Sequence, residues 1–419
     1  MGFTPKSDYF LDKSLPFYSG NLRKFLKVTE YLKLYANPSP PNGVVMKSKS
    51  LVLACALTAA AFSFSAFSQE STVCADPLKK ICTETQAQRA QRDIYINKLK
   101  SEIAAEASKA SGPRIEEMKK NISKFHFIKR AIQSYKIRNQ EIMRAAKKRV
   151  VGIETVVTDP ANVNLLKSYM KRGISESRFD NTTKIVMSGI IDQIIVGNFG
   201  DFLERTGMED NILAQLLNNA CGSDGMVANA FATTLGNDKY VLICPGFLIT
   251  MSQEPDMRER FNSILLAISH EMGHHLDNSK LGNELYKPFM GCLADNYVDK
   301  FNKTDDDKKF CKKNEKDPAA CNMKVVTSHA GELIADAWGM KALNIHARSQ
   351  NYSFAETDAL LVSSWANLCG TGDEGIHPSG DFRIGTSLRT NPDIVDYLAC
   401  GNAGVSNKPA CTFEGAVSI

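Results

Sequence analysis

Three of the seven histidines in this 419-residue chain fall within six positions, in the segment AISHEMGHHLDN, residues 267–278. His270 and His274 are four positions apart, so on a helix their imidazoles lie on one face, one turn apart. That spacing lets both bind one tetrahedral metal ion, and Glu271 beside them has the chemistry of a general base. We therefore predict one Zn²⁺ per chain, with His270 and His274 as ligands and Glu271 as the base.

A zinc site that keeps one position open for water needs a third protein ligand. The segment GELIAD contains Glu332 and, one helical turn later, Asp336, among apolar residues that indicate a buried helix. We predict Glu332 as the third ligand and Asp336 as the acceptor of the outer N–H of a ligand histidine. Asp277 is a second candidate for that role. His275 is predicted to face away from the pair, at the surface or behind the ligands.

The rest of the chain must position these candidate site residues, and its sequence patterns predict a mainly helical, α+β fold. Residues 83–150 carry apolar residues at helical spacing, and Ser111-Gly112-Pro113 predicts a break into two helices. Residues 184–218 are also predicted to be helical. Two β-rich runs, 226–234 and 240–244, predict a hairpin across a Gly-Asn-Asp turn. Two helices then carry the metal ligands, and the polar segment that contains Cys311 and Cys321 is predicted to be a loop.

The start of the chain predicts export. Residues 46–68 contain two lysines, a short apolar run and small residues before Gln69, which is typical of a signal peptide with translation starting at Met46. Residues 1–45 are then a disordered upstream extension that is not native. A retained membrane anchor is the alternative. The predicted organisation continues with a helical region, 69–220, and a catalytic domain, 221–419.

Charge and cysteine content narrow the function classes. The net charge of +5 arises within residues 1–68, so the rest of the chain is formally neutral and a nucleic-acid partner is not expected. Removing the signal with Cys55 leaves ten cysteines, an even number that fits five disulfides in an oxidising compartment. We predict a secreted or periplasmic protein without stable membrane insertion after signal cleavage.

The motifs resemble those of the neprilysin and endothelin-converting-enzyme family of zinc metallopeptidases, of the gluzincin type. The similar segments are VANAFATTLGNDKYVLICPGFL, CLADNY, WANLCG and HPSGDFRIGTSLRTNPDIVDYLAC, all within 221–419. The resemblance implies a zincin-like catalytic lobe with a shortened N-terminal helical lobe. It further implies that Asn229 and Ala230 bind the substrate backbone, that His377 stabilises the oxyanion, and that Arg383 holds the site and the substrate carbonyl.

The resemblance also implies a disulfide pattern. Its members are Cys74–Cys400, Cys82–Cys369 and Cys292–Cys411, with Cys221–Cys244 and Cys311–Cys321 left as local pairs. The chain departs from the family at Ala232, which follows Asn-Ala-Phe where the family has an aromatic residue.

The expected function is a secreted zinc endopeptidase that acts on peptide or protein substrates. Leu266, Ala267 and Leu368 are expected to line an apolar specificity pocket. One alternative is a zinc peptidase of the prenyl-protease type in envelope protein quality control, because that family shares Asn-Ala-Phe-Ala, a Glu-x-x-x-Asp helix and a His-Pro…Arg segment. Another is a non-catalytic protein, derived from a peptidase, that binds zinc or peptide.

Overall fold

The fold was analysed in a computed structural model. It describes residues 73, 76–150, 154–206, 220–222, 227–251, 257–372, 375–389 and 409–417, which all belong to one unit, Phe67–Ile419. The predicted upstream extension 1–45, the signal peptide 46–68 and the Cys74–Cys400 pair lie outside the described residues. The predicted α+β, mainly α class is confirmed.

Helices make up most of the described chain, and the three longest have 36, 32 and 24 residues. After a π-helical turn, Lys79–Thr83, the N-terminal helices are α1 (Gln86–Asn121), α2 (Phe127–Val150), α3 (Glu154–Thr158), α4 (Pro160–Glu176), α5 (Asn181–Gln193) and α6 (Phe199–Thr206). The later helices are α7 (Pro245–Met251), α8 (Met257–His274), α9 (Asn278–Leu281), α10 (Lys287–Asn296), α11 (Asp305–Lys313), α12 (Pro318–Ser349), α13 (Phe354–Trp365) and α14 (Gly380–Arg389). Single 3₁₀ turns cover Val298–Lys300 and Ala366–Leu368.

The sheet that borders the site has three strands, β1 (Ile194–Asn198), β2 (Ala230–Leu235) and β3 (Asp238–Ile243), in the order β1-β3-β2. The hairpin of β2 and β3 agrees with the prediction, and Gly236 supplies the positive φ of 59° in its turn. A second hairpin pairs β4 (Ala410–Thr412) with β5 (Gly415–Val417).

The prediction of one helix over 184–218 is wrong at its centre. Ile194–Asn198 is a strand that runs parallel to β3, with Val196 opposite Val241. Its β-branched residues favour a strand once a neighbouring strand offers hydrogen bonds, which is a tertiary effect. The strand β1 lies in the range predicted as a helical region, 69–220, but it pairs with β3 in the range predicted as the catalytic domain, 221–419. The domain boundary at residue 220 stays a prediction.

Two other local predictions are corrected. The helix α1 runs without a break through Ser111-Gly112-Pro113, because its buried stripe, including Ile103 and Ile115, packs on α2 and offsets the one hydrogen bond that Pro113 removes. The chain turns instead at Ile122, which has an extended backbone. The polar segment around Cys311 contains the helix α11, which begins with a capping box between Thr304 and Asp307.

Within the described residues, four disulfides tie these elements together. They are Cys82–Cys369, Cys221–Cys244, Cys292–Cys411 and Cys311–Cys321. Each of these pairs matches the predicted partner, and together they indicate an oxidising environment. Among the described helices, none has the length and apolar character required to cross a bilayer.

A buried histidine joins three of the helices away from the metal ligands. His346 on α12 lies with Nδ1 3.1 Å from the hydroxyl of Tyr169 and Nε2 3.1 Å from Oδ1 of Asn262. A neutral imidazole satisfies both partners by accepting from Tyr169 and donating to Asn262. Burial, together with the positive charge of Arg258, lowers the pKa of His346 from 6.5 to about 4.

This network predicts a loss of stability in mild acid. Because the pKa of His346 is lower in the folded chain, the unfolded chain takes up the proton first as the pH falls. The stabilisation is complete above pH 6.5 and decreases towards pH 4, by about 2 kcal/mol between pH 7 and pH 5. In His346→Gln, the difference in unfolding free energy between these two pH values is expected to be smaller by that amount. Urea unfolding measures it, and His126→Gln at an exposed position should keep the parent's pH dependence.

Candidate metal centre and active site

The helices α8 and α12 cross at unusually short range, which brings the predicted ligands together. A Cβ atom on Gly273 of α8 would lie 2.8 Å from Cα of Ala335 on α12. A Cβ atom on Gly339 would lie 2.9 Å from Cδ1 of Leu266. Ala335 and Gly339 are four positions apart, so they share the face of α12 that meets α8. Gly331, four positions earlier, faces Asp277 just beyond the end of α8. Sequence reasoning missed these residues, although their four-residue spacing was the available signal.

Gly273→Ala is therefore expected to destabilise the fold and to weaken metal binding. The added methyl group meets backbone atoms, so the helices must separate, at a cost of about 2 kcal/mol that exceeds the gain in helix propensity of about 1 kcal/mol. Urea unfolding and a zinc titration measure the two effects. In Gly189→Ala, where no atom lies within 4 Å of the added Cβ, stability should rise or stay unchanged. Equal behaviour of the two variants would contradict the close crossing.

The three predicted ligands lie around one point between the helices. Oε2 of Glu332 lies 3.5 Å from Nε2 of His270, and Oε1 of Glu332 lies 3.4 Å from Nε2 of His274. Two ligand atoms at about 2.1 Å from a tetrahedral ion are about 3.4 Å apart, so these distances fit one such ion. His270, Glu271 and His274 also offer ligand atoms within 4.8 Å of one another. Glu271 thus lies beside the candidate metal position.

A carboxylate holds the outer nitrogen of each imidazole. Nδ1 of His270 is 2.9 Å from Oδ1 of Asp336, and Nδ1 of His274 is 3.3 Å from Oδ2 of Asp277. The two candidates for this role therefore serve one histidine each. Asp277 also begins α9 by accepting hydrogen bonds from the backbone of Ser279. Such partners leave Nε2 of each histidine as the nitrogen available for a metal.

Arg383 of α14 is buried and contacts the carboxylates of Asp336 and Glu332. It donates to the two oxygens of Asp336 at 2.8 and 2.7 Å, and its Nη1 lies 3.5 Å from Glu332. This arrangement matches one half of its predicted role, which was to hold the site. Its contact with a substrate carbonyl stays a prediction. Burial opposes ionisation of Asp336, but the guanidinium of Arg383 outweighs it and lowers the pKa of that carboxyl.

The cluster carries an excess of negative charge, most of which a divalent cation would neutralise. Glu271, Glu332, Asp336 and Asp277 are four carboxylates against the one guanidinium of Arg383, a formal charge of −3 with neutral imidazoles. Burial would lower the pKa of His270, yet the neighbouring Asp336 and Glu332 raise it to about 10. A buried imidazole held by carboxylates in this way is poised to exchange its proton for a metal ion. The residues present therefore fit the predicted ion.

Glu271 lies in the environment expected of a proton acceptor. Burial, the largest cause, raises the pKa of its carboxyl above the usual value, and the charge of Glu332 adds to this rise. The backbone of Ala232 on β2 hydrogen-bonds to the carboxylate and opposes the shift. A carboxyl with a raised pKa takes up a proton more readily near neutral pH. The sheet thus positions the base against the helix pair.

An open cavity of about 820 Å³ exposes this cluster to solvent. Asn229 and Ala230 line it at the start of β2, although the Asn229 amide donates to the carbonyl of Ala220 at 3.0 Å. Leu266, Ala267 and Leu368 also line it, as the sequence predicted for an apolar pocket. The disulfides Cys221–Cys244 and Cys82–Cys369 include cysteines that lie close in sequence to residues lining the cavity.

His377 and His275 have different positions relative to the cavity. His377 is 55% exposed at its side chain, and its Nε2 lies 3.1 Å from Oε1 of Glu332. His275 is buried, which excludes the surface position and leaves the predicted alternative, a position behind the ligands. Its Nε2 lies 3.0 Å from the carbonyl oxygen of Tyr240, which attaches α8 to β3. That contact joins the C-terminal end of α8 to the sheet that borders the cavity.

Comparisons with known proteins add a structural similarity. No protein-family profile and no curated protein matches the chain. Among solved structures, the zinc metalloprotease Zmp1 of Mycobacterium tuberculosis, in complex with an inhibitor, is similar at 14% identity and a TM-score of 0.38. The similarity covers 64% of this chain and 47% of that one, so the chain spans about half of that protein's length. These values are too low to support a common function.

Proposed function

We propose that the protein is a zinc-dependent endopeptidase that hydrolyses peptide bonds. The observation that carries the proposal is the carboxylate of Glu332, which reaches both His270 and His274 from another helix. Two imidazoles and one carboxylate are a ligand set used by catalytic zinc. When bound there, zinc lowers the pKa of a water molecule and polarises a carbonyl group.

Glu271 acts as the general base in this proposal. Its carboxylate accepts the proton of the attacking water and later gives it to the leaving amine. The burial that raises the pKa of Glu271 supports this role, because a raised pKa makes the carboxylate a stronger proton acceptor. The hydrogen bond from β2 at Ala232 orients the carboxylate towards the cavity side of the helix pair.

The strand β2 is the proposed docking edge for the substrate. In the described sheet, β2 pairs with β3 and has no strand on its other side. An extended peptide gains backbone hydrogen bonds by adding to such an edge. Asn229 and Ala230 begin this strand and line the cavity, which supports their predicted role in binding the peptide backbone.

His377 is proposed to stabilise the negative charge that develops on the carbonyl oxygen. Its exposure and its short distance to Glu332 support a position at the edge of the reaction centre. A donor of this kind contributes on the order of 3 kcal/mol in comparable oxyanion sites. Asp336 holds the outer nitrogen of His270, and Arg383 in turn holds the carboxylate of Asp336.

We also propose that the protein works outside the cytoplasm, in a secreted or periplasmic location. Four disulfides support an oxidising compartment, and the predicted signal peptide supports export.

Metal analysis and a cleavage assay test the function directly. The purified chain is expected to contain one zinc ion and to cleave members of a peptide library. A chelator should stop cleavage, and added zinc should restore it. A chain that keeps stoichiometric zinc but cleaves no peptide would favour the non-catalytic binding protein instead. Cleavage that persists in the metal-free chain would overturn the proposal.

A further inference from the structure

The helices α1 and α2 form a hairpin whose end is remote from its packed base. Ile103 and Ala107 of α1 and Ala145 and Ala146 of α2 are buried at the base. Near the middle, Arg114 pairs with Glu141. From Gln140 beside this pair, α2 extends back to Phe127, which is about 20 Å at 1.5 Å per residue. No residue between 116 and 131 is buried, so this end of the hairpin projects into solvent.

Three large apolar side chains lie at this end. We define the hairpin tip as residues 119–130, with the sequence KKNISKFHFIKR. The exposed fraction is 94% for Phe125, 71% for Phe127 and 61% for Ile128. Single exposed apolar residues are common, but three within four positions form a patch that indicates a binding surface. They also line a small surface depression with His126 and Lys129.

The same tip is strongly basic. Its cations are Lys119, Lys120, Lys124, Lys129 and Arg130, and residues 118–130 contain no acidic residue. The patch of formal charge +5 therefore surrounds the apolar side chains. Glu116 and Glu117 precede the tip in the sequence, and Glu116 binds Lys119 at 2.6 Å.

We propose that the hairpin tip docks the protein onto anionic lipid membranes. Phenylalanine and isoleucine side chains insert at the boundary between headgroups and acyl chains, while lysines bind the anionic headgroups around them. A nucleic acid would match the charge, but it offers no apolar layer for an isoleucine that is mostly exposed. The surface lies on α1 and α2, apart from the candidate metal centre, so it does not depend on the proposed peptidase activity.

Sedimentation with lipid vesicles tests the proposal on the mature chain from Gln69, which lacks the predicted signal peptide and its basic flank. Vesicles of phosphatidylcholine with 30% phosphatidylglycerol should bind the parent, and vesicles of phosphatidylcholine alone should bind it at least roughly tenfold less. The triple variant Phe125→Ser, Phe127→Ser, Ile128→Ser should lose binding roughly tenfold or more. The variant Lys124→Gln, Lys129→Gln should lose about fivefold per lysine, and salt should weaken the parent's binding in the same way.

Matched variants at other exposed positions separate the tip from general effects. Ile94→Ser, Tyr95→Ser, Ile185→Ser removes three exposed apolar side chains elsewhere, and Lys312→Gln, Lys313→Gln removes two lysines of α11. Both should bind vesicles as the parent does. Absence of parental binding to the anionic vesicles, or equal loss in the matched variants, overturns the proposal. So would a dimer that forms without lipid and disappears in the triple serine variant, or tighter binding to a single-stranded oligonucleotide than to the vesicles.

Discussion

Glu271→Gln is expected to abolish peptide cleavage while leaving one zinc ion bound per chain. The amide keeps the size of the side chain but cannot accept the proton of the attacking water. Loss of a general base lowers turnover by about 10²–10⁴-fold. Zinc content should stay close to the parent's because the two outer imidazole nitrogens remain held by Asp336 and Asp277. Single-turnover cleavage of a library-derived peptide, with metal analysis of the same sample, measures both outcomes.

The matched control is Glu284→Gln, which changes an exposed carboxylate that pairs with nearby Lys287. It should cleave as the parent does. If Glu271→Gln also retained the parent's turnover, Glu271 would not be the base, and the raised pKa of its carboxyl would reflect burial alone. Loss of zinc from Glu271→Gln would instead assign Glu271 to the metal, which its closeness to His270 and His274 makes a meaningful alternative.

Glu332→Gln is expected to reduce zinc affinity by more than about 100-fold. Substitutions of residues behind the ligands weaken metal binding about 10–100-fold, and a ligand itself contributes more. The change also removes the carboxylate that holds two imidazoles at 3.4 and 3.5 Å and replaces it with a neutral amide. Competition with a chromogenic chelator measures the affinity. Cleavage should fall with it at limiting zinc.

The control for this variant is Glu315→Gln, at an exposed position before α12. It should leave zinc affinity unchanged. An unchanged affinity in Glu332→Gln would remove this carboxylate from the ligand set. Glu332→Gln and Glu271→Gln should also respond differently to zinc. Excess zinc should recover part of the activity of Glu332→Gln but none of the activity of Glu271→Gln. This contrast separates a ligand from a base.

Local periodicity explains why much of the candidate site could be predicted. The spacing of His270 and His274 places both on one face of a helix whatever the rest of the chain does. Glu332 and Asp336 follow the same rule on α12. The hairpin of β2 and β3 was likewise visible, because a turn sequence and two β-rich runs are adjacent in the chain.

Local patterns failed where long-range packing competes with them. Pro113 predicts a helix end, but the stripe of α1 that packs on α2 keeps the helix continuous. Residues 194–198 follow a helix without a turn signal, yet they form a strand because β3 offers a free edge to pair with. For His275 the sequence left a surface position and a position behind the ligands open, and only the contact with the carbonyl of Tyr240 on β3 decided that it is buried.

The sequence by itself determined which residues of this protein have the chemistry for a metal site and which helices carry them. Only the tertiary structure decided how they are shared: Asp336 serves His270, Asp277 serves His274, and Arg383, 47 positions beyond Asp336, binds that carboxylate from a separate helix. The close crossing at Gly273 and Gly339 was also decided there. The physical reason is that helical spacing is set by bonds between near neighbours, whereas these contacts depend on how distant segments pack.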